Sequence, residues 1–206
     1  MNSSNPDLII QHNLSNYDRV KATFSWKYCA RELSGLPDGK GLNIAYEAVD
    51  RHTQNHLKNT IELRFIRKDR STEDFNYSNL KPQSSKFANI LKKLKAKKGE
   101  LVFSLTRKIP KLFVAAFLET LKYTAVVPPL FAVFGPEPIN QRVSKGDATV
   151  LVATSKLYKK NIKQLVERLP TLRYSTLTDA TEHLSEKALS FSILMNQGPS
   201  DFKIPD

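Results

Sequence analysis

Apolar positions along the chain change period several times, and each change marks an element. Residues 17–28 carry a weak helical repeat ending on Phe24, Trp26 and Tyr28, after a polar arm over residues 1–16. Residues 35–41, Gly-Leu-Pro-Asp-Gly-Lys-Gly, are turn-rich and break that helix. Asn43 then caps a second helix, with Ile44, Ala45, Ala48 and Val49 on one face. From residue 60 to 66 the pattern alternates, with Ile61, Leu63 and Phe65 opposite Glu62 and Arg64. Residues 68–71 make a turn, and Phe75 and Tyr77 alternate in a partner strand, which predicts a hairpin with one wet face.

Helical spacing returns after the hairpin. Ser78 or Asn79 is expected to cap a helix to about Ala96, with Phe87, Ile90, Leu91 and Leu94 as its apolar stripe. Three short apolar runs, 101–105, 125–131 and 149–153, read as buried strands, and 171–174 as a fourth. Helices are expected between them: one opened by Pro110, with Leu112, Phe113, Ala116, Phe117 and Leu121 facing the core, one over 138–143 and one over 155–169. From Ser175 the pattern fades, and 196–206 reads as an exposed tail. The expected fold class is α/β, with an N-terminal helical segment and a β-hairpin followed by βαβ units that form a partial parallel sheet.

Composition narrows the class without naming an activity. The chain has 206 residues, which suggests one domain or one plus an appendage. Its net charge of +12 is uneven, with +9 carried by residues 61–125. The densest run, Lys92, Lys93, Lys95, Lys97 and Lys98, has no interleaved aromatics for base stacking. It reads as a solvated helix end, and nucleic acid is not an expected partner. The longest apolar run holds two prolines and is far below the ~20 residues of a membrane helix. The polar N-terminus lacks a signal-peptide pattern, and the single Cys29 reads as buried filler. A cytoplasmic location and no membrane partner are therefore expected.

Motifs that carry chemistry by themselves are scarce. Neither Gly-x-x-x-x-Gly-Lys-Ser/Thr nor Gly-x-Gly-x-x-Gly is present, and Gly39-Lys-Gly41 does not follow a buried strand. His52 and His56 share a helix face but lack a nearby third ligand, so no metal is expected. There is no Gly-x-Ser-x-Gly.

Several blocks in order resemble a known family. Residues 75–80 (Phe-Asn-Tyr-Ser-Asn-Leu), 86–91 (Lys-Phe-Ala-Asn-Ile-Leu) and 98–103 (Lys-Gly-Glu-Leu-Val-Phe) resemble the start of AMP-forming acyl-CoA synthetases. Residues 129–139 (Pro-Leu-Phe-Ala-Val-Phe-Gly-Pro-Glu-Pro-Ile), Gln141-Arg142 and 150–152 look like acetyl-CoA synthetase. Residues 14–17, 24–26 and 42–52 agree with the N-terminal region of that family. The resemblance implies the N-terminal domain of an adenylate-forming enzyme, with residues 1–58 as an N-terminal segment and 59–206 as the first part of the AMP-binding α/β domain, ending before the phosphate loop.

The family joins acetate, ATP and CoA to give acetyl-CoA, AMP and pyrophosphate, using ATP, Mg and CoA. The resemblance implies that this chain holds no complete cofactor site and no catalytic residue, and does not catalyse the reaction alone. It also implies CoA contacts at Phe131, Ala132, Val133, Lys159 and Lys160, and a polypeptide partner supplying the missing synthetase domains. The chain departs from the family pattern where Leu-Lys-Ala-Gly-Ala-Val is Leu121-Lys-Tyr-Thr-Ala-Val126, where a helix-ending Gly is Lys95, and where Gly-Arg-Ile-Pro-Glu is Arg107-Lys-Ile-Pro-Lys111. The helix before Lys122 is also one residue longer than the family's. These departures suggest relaxed constraint in a truncated remnant, or half of a split enzyme. A second reading is a CoA- or partner-binding regulatory module, and a third is a basic nucleic-acid binder. Glycine is scarce in keeping with the departures, at 7 of 206 residues.

Overall fold

The computed structural model describes residues 14–106 and 118–205. The chain divides into two compact units, Met1–Ser34 and Gly35–Asp206. The first unit holds two short helices, α1 (Tyr17–Thr23) and α2 (Trp26–Arg31), rather than one helix over 17–28. Ser25 is extended and its hydroxyl accepts from the Tyr28 amide, so a new N-cap interrupts the run. Cys29 in α2 is half-buried rather than core filler.

In the second unit Asn43 caps α3 (Ile44–Ala48) as expected, its Oδ1 accepting from the Ala45 and Tyr46 amides. Strands β1 (Ile61–Ile66) and β2 (Thr72–Asn76) pair antiparallel, with Leu63 opposite Phe75 and Arg64 opposite Asp74. Helix α4 (Tyr77–Lys93) begins before the expected cap, and Tyr77 lies in the helix rather than in the strand. Asn76 is the cap: its side chain accepts from the Asn79 amide, and the Asn79 side chain accepts from the Asn76 amide. That reciprocal pair satisfies two backbone donors at once, which neither Ser78 nor Asn79 achieves as cap.

The parallel sheet runs β3 (Val102–Leu105), β4 (Val150–Ala153), β5 (Tyr174–Leu177) and β6 (Ala188–Ser190). Ser104, Val152, Thr176 and Leu189 stand in one register row. Residues 125–131, expected as a full strand, instead run beside β3 through two isolated parallel bridges, Leu101 with Val126 and Ser104 with Pro129. Pro128 and Pro129 have no amide to donate, so this segment can only border the sheet. The fade expected after Ser175 is overturned, because β5 continues to Leu177 and β6 and α8 (Phe191–Gln197) come after it.

Both faces of the sheet are covered from within the chain. On one face Val102, Val150 and Val152 pack with Phe87, Ile90, Leu91 and Leu94 of α4 and with Phe191 and Leu194 of α8. On the other, Phe103, Leu105, Leu151, Ala153 and Leu177 meet Ile139 and Val143 of α6 (Pro136–Lys145), together with Leu157, Tyr158, Ile162 and Leu165. Burial on both sides explains why these strands read as continuous apolar runs. The expected helix over 155–169 is instead a short α-turn, α7 (Ser155–Leu157), a π-helical turn (Tyr158–Ile162) and a 3-10 stretch (Lys163–Arg168).

The residues expected as a tail form a strap. Asn89 Nδ2 donates to the carbonyls of Pro199 and Asp201, at 3.1 and 2.7 Å. Phe202 lies 6.0 Å from the Tyr123 ring, and Ile204 is buried. The helix expected from Pro110 falls mostly outside the described residues, and its described end is α5 (Glu119–Lys122).

Two of the expected glycine departures carry a conformational consequence. Lys95 follows α4 with φ of 59°, and Thr124 follows α5 with φ of 67°. Both occupy the left-handed position of a helix-ending turn, in which Ala96 donates to the Leu91 carbonyl and Ala125 to the Thr120 carbonyl. A side chain with a Cβ is disfavoured there by roughly 1–2 kcal/mol, and Thr is the worse because it is β-branched. Replacing Thr124 with Gly is expected to stabilise the protein by roughly 1 kcal/mol. Thermal denaturation should register this as a rise of about 2–4 °C, and Lys95→Gly should give a smaller rise. An unchanged or lower midpoint for Thr124→Gly would contradict the strain argument.

Candidate functional site

The five expected contact residues fall on two loops. Residues 131–134 form a turn beyond the bordering segment, where the Phe134 amide donates to the Phe131 carbonyl at 3.0 Å. Phe131 is 71% exposed and Val133 90% exposed. Ala132 is tucked against the core cluster that also contains Tyr158 and Ile162. The turn is braced by aromatic contacts: Phe131 and Phe134 meet edge to face at 5.4 Å, and the Arg142 guanidinium lies 4.5 Å from the Phe134 ring centre.

Lys159 and Lys160 lie on the π-helical turn after β4, and both are exposed. Thr154 opens this stretch by accepting from the Leu157 amide, and Asp179 accepts from the Ser155 amide at 2.6 Å. Lys159 lines a cavity of about 440 Å³ with Tyr158, Lys163, Leu184, Ser185 and Ala188. Lys160 does not line it. Among the described residues no acidic side chain forms an ion pair with Lys159 or Lys163. Burial pushes the Tyr158 hydroxyl above its usual range, so at neutral pH it is a hydrogen-bond donor as well as an acceptor. Asn161 is buried, and neither of its amide atoms has a partner. The structure thus adds Tyr158, Lys163 and Ser185 to the site. The four-residue spacing of Lys159 and Lys163 is visible in the sequence, but helical periodicity does not show that a π-turn sets both beside the segment leading into β6.

A second polar cluster is internal. Lys122 is fully buried, and its Nζ donates to Asp50 Oδ1 at 2.8 Å, Ser84 Oγ at 3.0 Å and Ser85 Oγ at 3.1 Å. Three acceptors match the three donors of an ammonium group. Desolvation pulls the Lys122 ammonium below its usual range and raises the Asp50 carboxyl, while their mutual attraction opposes both shifts. Glu119 is also fully buried, and neither carboxyl oxygen has a hydrogen-bond partner among the described residues. Burial pushes its carboxyl well above the usual range, against the opposing pull of Lys122. His52, expected at an exposed helix end, is half-buried and lies 4.8 Å from the Tyr77 ring. His56 is exposed.

Comparison with known proteins places this architecture. A family model described as AMP-binding enzyme matches residues 50–201. The acetyl-coenzyme A synthetase of Bacillus subtilis (strain 168) is 30% identical over 164 residues, covering 79% of this chain and 28% of that protein. The 3-hydroxypropionyl-coenzyme A synthetase of Sulfurisphaera tokodaii is 28% identical over 151 residues, covering 71% of this chain and 22% of its own. The crystal structure of a Brucella canis acyl-CoA synthetase superposes with a TM-score of 0.77 at 24% identity, covering 92% of this chain and 33% of that one. The chain belongs to the AMP-binding enzyme family, among the AMP-forming acyl-CoA synthetases. It spans 28% of the length of its Bacillus relative.

The internal cluster makes the stability of the unit sensitive to substitution and to pH. Lys122→Met leaves the Asp50 carboxylate buried without its partner and is expected to cost roughly 3–5 kcal/mol in urea unfolding. A cost under about 1 kcal/mol would show that the pair is not buried as described. Glu119 governs the pH dependence. Its folded pKa lies above its unfolded value, so the native state holds the extra proton above about pH 4.5. Stability is therefore fully present below the unfolded value and is lost as pH rises through the folded one. The raised Asp50 carboxyl acts in the same direction, and the lowered Lys122 ammonium acts oppositely in alkaline solution. Glu119→Gln should flatten the decline that sets in above about pH 4.5, and equal slopes for the two proteins would refute the assignment.

Proposed function

We propose that this chain provides the CoA-facing front of an acetate–CoA ligase of the AMP-forming type, and that by itself it binds CoA without adenylating acetate. Residues 1–58 correspond to the N-terminal segment and 59–206 to the first part of the AMP-binding domain. The reading rests on its relationship to acetyl-CoA synthetases and on one observation: Lys159 and Lys163 line a 440 Å³ cavity with no acidic ion-pair partner among the described residues. Two ammonium groups there suit the phosphates of CoA as point charges, without the fixed fork of Arg. The exposed Phe131–Val133 turn offers apolar surface to the remainder of the ligand or to a partner polypeptide. ATP and Mg would be held by groups outside these 206 residues, because no phosphate-cradling glycine loop occurs in them. A polypeptide bearing that loop and the C-terminal part of a synthetase is the partner this reading requires. The cytoplasm is the compartment in which it would act.

The purified chain is expected to show no acetate-dependent exchange of pyrophosphate into ATP, while calorimetry with CoA gives saturable binding. Lys159→Ala should weaken that binding by about tenfold, the order expected for one charged hydrogen bond. Acetate-dependent exchange above background would overturn the non-catalytic part of the proposal. Absence of CoA binding would overturn the rest.

A further inference from the structure

A different cavity, of about 210 Å³, is lined by the strap and by residues that precede β1. Asp50 is 6% exposed, gives Oδ1 to Lys122 and also lines this cavity. Lys81 from α4 and Asp201 from the strap act electrostatically on the Asp50 carboxylate and line the same space. Lys203 adds a second ammonium from the strap. Among the described residues neither Lys81 nor Lys203 forms an ion pair. The remaining wall is mixed: Leu36, Pro37, Phe202 and Ile204 are apolar, and Asp38 and Lys40 add one charge of each sign. One small cavity thus combines three carboxylates, one of them buried, three ammonium groups and an apolar wall. Its size is below that of a typical drug-sized pocket, so its ligand is compact.

We infer that this cavity is a binding site for a small zwitterion, an α-amino acid with an aliphatic side chain, independent of the CoA reading. The ligand ammonium group pairs with Asp50, helped by Asp201. Its carboxylate lies against Lys81 and Lys203, and its side chain rests on Leu36, Phe202 and Ile204. The lining carries both signs, so a zwitterion meets both at once where a simple amine or a simple acid meets only one. The strap supplies Asp201, Phe202, Lys203 and Ile204, and Asn89 holds it at the Pro199 and Asp201 carbonyls. Binding therefore tightens the strap on α4 and raises the stability of the unit by mass action.

The test is calorimetry on the full chain with L-leucine and L-valine, using isoamylamine and isocaproate as single-charge probes. Saturable binding of an amino acid is expected, with both single-charge probes at least about tenfold weaker. Lys203→Met sits on the exposed strap and should fold normally, yet lose about tenfold in affinity, as should Lys81→Met. Asp50→Asn tests the ammonium contact, although it also removes the partner of Lys122. The strap variant keeps the test decisive if Asp50→Asn fails to fold. No amino acid binding at millimolar concentration, equal binding of isocaproate, or unchanged affinity in Lys203→Met would each overturn the inference. Loss of CoA binding in Lys159→Ala with amino acid binding intact would leave it standing.

Discussion

The fully buried ammonium group of Lys122 is the constraint on which the second unit turns. It joins three pieces that are distant in sequence: Asp50 from the turn after α3, Ser84 and Ser85 from α4, and its own helix α5. An ion in the interior is tolerated only when its hydrogen bonds are complete, and here the acceptors match the donors in number. That requirement fixes where the 44–54 stretch lies on α4. Asn43 supports the same placement by donating its Nδ2 to the Leu121 carbonyl at 2.9 Å. The neighbouring carboxyl of Glu119 has no such partner among the described residues, and burial pushes it well above its usual range, which favours the protonated form. Within this cluster Asp50 and Lys122 are therefore held as a pair, and burial favours the neutral form of Glu119.

From that anchor the two faces of the sheet diverge in character. The face under α4 and α8 begins with valines and becomes polar along the strands, with Ser104 and Thr176 in the same register row as Val152. The face under α6 and the π-turn is apolar in β3 and β4 and at Leu177, with Ser175 and Ser190 as its polar positions in β5 and β6. Helix α4 meets its face with Phe87, Ile90 and Leu91 while turning Ser84 and Ser85 to Lys122, and α6 meets the other with Ile139 and Val143. Both surfaces are closed within the chain, and the exposed large hydrophobic side chains of the second unit lie on turns, the hairpin, the segment bordering β3 and the start of α3, with Phe131 and Val133 the most exposed.

Elements are legible in the sequence where the interactions that form them leave a pattern in it. Leu101 to Leu105 and Val150 to Ala153 are short apolar runs because they are buried on both sides, and they read directly as parallel strands. The stripe Phe87, Ile90, Leu91 and Leu94 reads as a helix face for the same reason. The cap of α4 is displaced from its expected place because Asn76, Ser78 and Asn79 are all capable caps, and only the reciprocal pair of hydrogen bonds selects the first. Lys122 gives no sign of burial in the sequence, since its partners are a distant Asp and two serines. The π-turn is hidden because Leu157, Ile162, Leu165 and Leu169 keep a spacing close to that of an α-helix. The strap leaves no mark at all: Asn89 grips backbone carbonyls, which every residue has. Of the candidate site, Lys159 is legible through the family resemblance, whereas Lys163 and Tyr158 require the turn geometry.

The departures from the family pattern bear on how this fold tolerates change. At Lys95 and Thr124 the backbone keeps a left-handed conformation although the side chain opposes it. Each turn is thus dictated by the residues just beyond it: Ala96 must be buried, and Val126 must pair beside Leu101. Gly146 shows the complementary limit, because a Cβ there would lie 2.9 Å from Leu101 Cδ2 and 3.0 Å from Phe103 Cε2. At that site a side chain would have to push the Leu101 and Phe103 side chains aside. Conformational cost is accepted where it stays local, and glycine stands where a side chain would crowd Leu101 and Phe103. The strained positions end helices α4 and α5, whereas the Lys159 and Lys163 cavity is built on the turn after β4. Strain of this kind lowers stability without reshaping the cavity, so the ligand-binding potential of the unit is separable from its thermodynamic margin.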